Sequence, residues 1–245
     1  MNAFLSMTRA NLKMTLRDRT RLFWLLLFPA LFILIFGSIA NGSRYLDYLV
    51  PGILAMSIMQ GGVVGLSGAF VVMRERGILR RVRATPFPLT SFIGSRVATQ
   101  LLVAVLQSAI LLALARLVFG LRVDARSMPA LALFVVLGSL AFLAVGFFIA
   151  GVSGRQEGAV ALAQLVSFPM LFLSGVFFPL DQSPVWLQDL AKALPLSYLA
   201  DGLRQVMVHG APLWSERWDV LALLVTAAVG LLLAVRFFRW EPRTT

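Results

Sequence analysis

The chain has 245 residues, 59% hydrophobic and only 13% charged, with a mean hydropathy of +0.87. Soluble domains carry about 25% charged residues, so lipid is the main solvent here, and the length suits about six spans with no room for a separate soluble domain. The formal charge of +11 collects at the ends of apolar runs rather than on one folded face, which argues against nucleic acid as a partner, and the absence of cysteine excludes disulfides, thiolate metal sites and cysteine nucleophiles.

At the N-terminus Arg9, Lys13, Arg17 and Arg21 recur every four residues beside Leu5, Leu12 and Leu16. That pattern fits an interfacial helix within residues 1–21, its cations near anionic headgroups; a disordered basic tail is the alternative. Leu22–Ala40 is the first uncharged run. Ser-Ile-Ala before Asn41 imitates a signal cleavage site, but the run exceeds a signal's length and five more follow, so a retained span is expected. Tyr48–Met73 is the second run, and Gly61, Gly65 and Ala69 give it a small-residue face for close helix packing.

RERGILRRVRATPFP, Arg74 to Pro88, comes next. As a helix from Arg74 to Ala84 it places Glu75, Leu79 and Val82 on one face, Ile78 beside them, and Arg76, Arg80 and Arg83 on the neighbouring face. Thr85-Pro86-Phe87-Pro88 then stops it. Three readings stay open from spacing alone: a topology anchor, a phospholipid-headgroup binder, or a docking helix that presses its aliphatic ridge into a soluble partner.

Val97–Ala115, Pro129–Gly154, Gly158–Leu180 and Val220–Val235 complete six predicted spans. One side of the membrane receives Arg9, Lys13, Arg17, Arg19 and Arg21, then Arg74, Arg76, Arg80, Arg81, Arg83 and Arg96, then Arg155, and finally Arg236, Arg239 and Arg243. The other side keeps Arg44, Arg116, Arg122, Arg126, Lys192, Arg204 and Arg217, with Arg116 snorkelling outward from its span. The positive-inside bias places both termini in the cytoplasm.

The connection between the last two spans is too apolar for an ordinary loop. Trp186, Leu187, Leu190 and Leu194 share a helical face up to Pro195, and Leu196, Leu199, Leu203 and Val206 repeat it. Two short helices within 181–217 are expected, either dipping into the outer leaflet or lying on it, with Trp186, Trp214 and Trp218 near the headgroups.

RERGILRRVRATPFP, together with LSGVFFPLDQSPVWLQDLAKALPLSYLADGLRQ at Leu173–Gln205, resembles the ABC-2 type transporter permeases, especially their drug- and antibiotic-exporting, daunorubicin-resistance-like branch. The resemblance covers almost the whole chain. It implies an all-α polytopic protein with six transmembrane helices and re-entrant outer helices, sited in a bacterial cytoplasmic membrane. It further implies a permease that pairs with a second copy and exports a hydrophobic or amphipathic drug, antibiotic or lipid-like molecule. ATP and Mg would be bound by separate ATPase subunits; the only lysines, Lys13 and Lys192, do not form a phosphate loop. Carried over by position, Arg74, Glu75, Arg76, Gly77, Leu79, Arg80 and Arg81 would form the ATPase contact, with Arg155 and Glu157 as a second one. By the same analogy the second and fifth spans line the path, which nominates Met56, Met59, Gln60, Gln164, Phe168, Met170 and Phe172; packing or lipid-facing positions would look alike.

Two other classes stand beside this one. A rhomboid-like intramembrane serine protease would use the serine of Gly65-Leu66-Ser67-Gly68 or Gly151-Val152-Ser153-Gly154 with His209, the single histidine, as base. A non-catalytic membrane scaffold has no signature of its own.

Overall fold

A computed structural model describes residues 3–39, 43–84, 88–212 and 215–237, and their regular elements are all helical. Thr85–Phe87, Trp214, Arg239 and Arg243 lie outside the described residues, as do the side chains of Arg21, Arg44 and Arg83. Helix α1 (Ala3–Arg17) is parted at Asp18 from α2 (Arg19–Ile39), the first span. The second span, Tyr45–Glu75, joins α3 (Ser43–Gln60), a π-helical turn at Gly61–Gly65 and α4 (Leu66–Glu75); a break then leads to α5 (Ile78–Arg83). The other spans lie in α6 (Leu89–Phe119), α7 (Met128–Val152), α8 (Gln156–Leu173) and α11 (Arg217–Phe237), with α9 (Val185–Lys192) and α10 (Pro195–His209) between the last two. Among the described residues six helices are long and apolar enough to cross a bilayer, so the protein is a polytopic all-α membrane protein.

Most span boundaries shift by a few residues from the sequence reading, and two shift further. The fifth span ends at Leu173 rather than Leu180, because Gly175 takes a φ of 65° and turns the chain. The third begins at Thr90 rather than Val97, with Arg96 inside it: the Arg96 guanidinium donates to Met73 Sδ at 3.1 Å and lies 5.9 Å from the Phe92 ring centre.

The second span is the buried axis of the bundle. Its closest crossing is with α7, through Gly62 rather than the expected Gly61–Gly65–Ala69 face. A Cβ on Gly146 would stand 2.2 Å from the Gly62 carbonyl oxygen, and one on Gly62 would stand 2.8 Å from the Phe142 backbone. The π turn rotates the small residues out of a simple four-residue register, and only glycine pairs permit this approach.

Helix α1 docks on α6 by its small polar side. Thr8, Asn11 and Thr15 are buried, and Asn11 Nδ2 donates to Ser95 Oγ at 3.3 Å. Leu5 and Leu16 stay exposed on the flank, together with the neighbouring cations Arg9 and Lys13. Leu12, the middle member of that apolar stripe, is half-buried, so only its two ends stand clear of protein packing.

Candidate functional site: a clamped basic loop and a packed hairpin

Arg74 and Glu75 end the second span beside the turn that joins α7 to α8. The Arg74 side chain is buried; its Nη1 donates to the Ala150 carbonyl at 3.0 Å and its Nη2 to the Ser153 carbonyl. These oxygens belong to the last turn of α7, where a cation complements the negative end of the helix. Glu75 Oε1 accepts the Gln156 backbone N–H at 3.1 Å, at the first residue of α8. There the carboxylate meets an orphan donor at the positive end of a helix. Two adjacent residues of opposite charge therefore clamp two successive helix ends.

The loop is not one helix from Arg74. Helix α4 stops at Glu75, Gly77 sits at φ 67°, and α5 has six residues. A glycine just past the last helical turn is a stop signal, and it was legible in the sequence. The break turns Leu79 inward. At 1% exposure it packs with Phe70, Met73 and Phe92, flanked by Met7, Ile78 and Val82. Of the three readings left open, the docking one and the resemblance both had Leu79 facing a soluble partner; Leu79 instead anchors α5 to its own bundle. Arg76, Arg80 and Arg81 are exposed, as are Glu75, Arg155 and Glu157 across the neighbouring turn. Of the nine nominated contact residues, Arg74 and Leu79 are spent on internal packing. The others, including the half-buried Gly77, gather at one end of the molecule, the basic end.

At the far end, α10 is wedged against α3, α7 and α11. Leu196, Leu199, Leu203 and Val206 are wholly buried. A Cβ on Gly138 would lie 2.6 Å from Leu199, and one on Gly202 would lie 2.2 Å from the Phe134 ring, while Gly210 stands beside Ser127. At about 1.5 Å per residue, Gly138 is about 16 Å along α7 from Ser127. The first turns of α10 thus pack against α7 well below that helix's own first turn, so the α9–α10 hairpin is held within the bundle. Its tip is tied by the Tyr198 hydroxyl, which donates to the Lys192 carbonyl at 2.6 Å, and Lys192 pairs with Asp189 at 2.8 Å with both side chains exposed.

A second tie, absent from the sequence reading, locks α10 to the second span. The Arg204 guanidinium stacks 3.7 Å from the Tyr48 ring centre, pairs with Asp201 and donates to the Gly175 carbonyl at 3.4 Å. Tyr48 donates its hydroxyl to the carbonyls of Gly175 and of Phe178, the latter at 2.8 Å. Partial desolvation raises the Asp201 carboxyl above its ordinary pKa, and the Arg204 charge opposes the rise. No short motif announces these partners, since Tyr48 and Arg204 are 156 positions apart in the chain.

The path nominees divide. Met56, Met59 and Met170 are buried in the main core. Gln60 and Gln164 are half-buried; Gln164 Oε1 and the neighbouring Ser167 Oγ find no partner among the described residues. Phe168 and Phe172 stand exposed with Leu165 on one stripe of α8. The protease constellation is not assembled. His209 ends α10 beside the Ser127 level of α7, whereas Ser153 closes the other end of that helix, about 38 Å away along 25 residues. Ser67 is fully buried and donates to the Val64 carbonyl at 3.3 Å.

A helical bundle with a clamped basic loop at one end and a packed hairpin at the other fits a membrane permease. The chain belongs to the ABC-2 type transporter family, whose model matches residues 2–208. It is 26% identical over 190 residues to the probable multidrug ABC transporter permease YbhR of Escherichia coli K12, a match covering 76% of this chain and 50% of that protein. It is 21% identical over 230 residues to the putative transport permease YvfS of Bacillus subtilis, covering 92% and 94%. Similarity to the inner membrane transport permease YadH of Escherichia coli K12 is 26% over 186 residues, 71% and 70% of the two chains. The chain therefore spans about half the length of YbhR but nearly all of YvfS.

Proposed function

We propose that this protein is the membrane-spanning half of an ATP-driven exporter. Two permease copies pair, and each seats its basic end on a separate ATP-hydrolysing subunit that binds ATP and Mg. A hydrophobic or amphipathic molecule (drug, antibiotic or lipid-like) then leaves toward the far end. Both termini lie in the cytoplasm of a bacterium, and the protein resides in its inner membrane.

The observation that carries this reading is the division of labour at the basic loop. Exposed Arg76, Arg80 and Arg81 ride on a segment anchored by Leu79 and continuous with the Arg74–Glu75 clamp. A push on those arginines reaches α4, α7 and α8 together. Arg155 and Glu157 extend the same surface. The path runs beside α8, where Gln60, Gln164, Phe168 and Phe172 offer mixed polar and aromatic contacts. We read the α9–α10 hairpin as re-entrant from the far side, and its exposed Asp189 and Lys192 then call for a wet or protein-covered face there, because lipid disfavours charge.

The test is co-purification of the full chain with its ATPase subunit, followed by measurement of which compounds alter ATP turnover. Joint charge reversal of Arg76, Arg80 and Arg81 should release the ATPase. Undiminished binding and transport in that variant would sink the proposal.

A further inference from the structure

Between α6 and α7, in the half of the bundle toward the far end, lies a groove of about 450 Å³ that opens sideways. Its lining comes from these two helices and their connection alone. Small residues make the hollow: Ala109 and Ala113 on α6 face Ala132 on α7. Gly120, at φ 71°, ends α6 and throws the chain across the top, so that Leu121 and Val123 roof the groove. Apart from Ser108 and Arg116, the lining is apolar.

Length and charge say what fits. From Val105 to Arg116 the groove follows α6 for eleven residues, about 16 Å at 1.5 Å each. That is about half of a 30 Å hydrocarbon core, the reach of one leaflet's chain. Arg116 stands at the outer rim, exposed, and no carboxylate among the described residues pairs with it. The nearest acid in sequence, Asp124, accepts the Arg126 backbone N–H of its own turn. A long apolar slot with one unanswered guanidinium at its membrane-surface end is complementary to a single amphiphile carrying a negative head.

We propose that this groove is a binding site for an anionic bilayer phospholipid, one acyl chain lying along Ala109 and Ala113 and the phosphate meeting Arg116. The occupant is taken from the surrounding leaflet because the groove opens laterally and shares no lining with α8 or α9. The site is independent of which molecule is exported and of which subunit drives export.

Native mass spectrometry of the full-length protein, offered equimolar phosphatidylglycerol and phosphatidylcholine of identical chains, tests this. One phosphatidylglycerol per chain should be retained in preference, and Arg116→Gln should reduce that preference about tenfold, the effect of one charge-assisted hydrogen bond. Arg116→Lys should restore part of it. Ala113→Trp should abolish retention of both lipids; Ala113→Leu fills the slot more gently should the tryptophan variant fail to fold. Equal binding of the two lipids by the unaltered protein would overturn the proposal. So would unchanged lipid retention in the filled variants, including the case in which they split a dimer because a second copy occupies the groove.

Discussion

The Glu75 carboxylate receives the Gln156 backbone N–H at 3.1 Å, so the last residue of the second span holds the first residue of the fifth. Its neighbour Arg74 holds the end of the fourth. This gives the Arg-Glu pair a role within the chain that is distinct from touching a partner. Glu75→Ala should therefore cost about 1 kcal/mol of stability, as loss of a helix cap does. ATPase binding should persist while transport per ATP hydrolysed falls. Glu75→Gln, which keeps the acceptor, should retain most of the coupling. Paired transport and ATPase assays in vesicles measure both.

Leu79 and its neighbours Arg80 and Arg81 should separate folding from docking. Leu79→Ala empties a buried site and should destabilise by about 2 to 5 kcal/mol. Arg80→Glu with Arg81→Glu changes exposed positions and should move stability by no more than about 0.5 kcal/mol each, yet weaken ATPase capture. Thermal melts and pull-downs on the same preparations decide. Equal loss of melting temperature in both variants would refute the inward placement of Leu79.

Gly146 and Gly158 make a matched pair. A Cβ on Gly146 would drive into the Gly62 carbonyl oxygen at 2.2 Å, while one on Gly158 meets nothing within 4 Å. Gly146→Ala should lower the yield of folded protein sharply. Gly158→Ala should stabilise α8 by up to about 1 kcal/mol, through helix propensity. Size-exclusion profiles and melting temperatures compare them directly.

Arg204→Gln removes the charge that opposes the upward shift of the Asp201 carboxyl, so that carboxyl should titrate at higher pH still. A carboxyl whose folded pKa is raised favours folding below its unfolded pKa, and that contribution fades as pH climbs through the folded value. The variant should therefore lose stability, relative to the unaltered protein, across a window extending further above the normal carboxylate range. Melting curves at a series of pH values check the direction. The same substitution frees Tyr48 from its stacked cation, which should loosen the far-end hairpin and raise ATP turnover without transport.

Much of this protein could be read along the chain. Runs of about 20 apolar residues are spans because unpaired backbone in lipid must become helix, and the motif around Arg74 together with Leu173–Gln205 was enough to reach the family. The N-terminal helix was legible too, from cations spaced every four residues. Its docking side was not, because Thr8, Asn11 and Thr15 become an interface only when Ser95 stands opposite.

The number and character of the helices follow from residue order alone, since these depend on local hydropathy and backbone hydrogen bonding. Which side chains turn inward is set by packing between elements far apart in the chain. Arg74 and Leu79 look like surface residues of a basic loop until Gly77 breaks the helix and the end of α7 arrives, while Glu75 stays exposed and caps α8. Helix-end carbonyls, orphan amides and the Tyr48 ring lie 76 to 156 residues from the charges they bind, and no local pattern records pairings so distant along the chain.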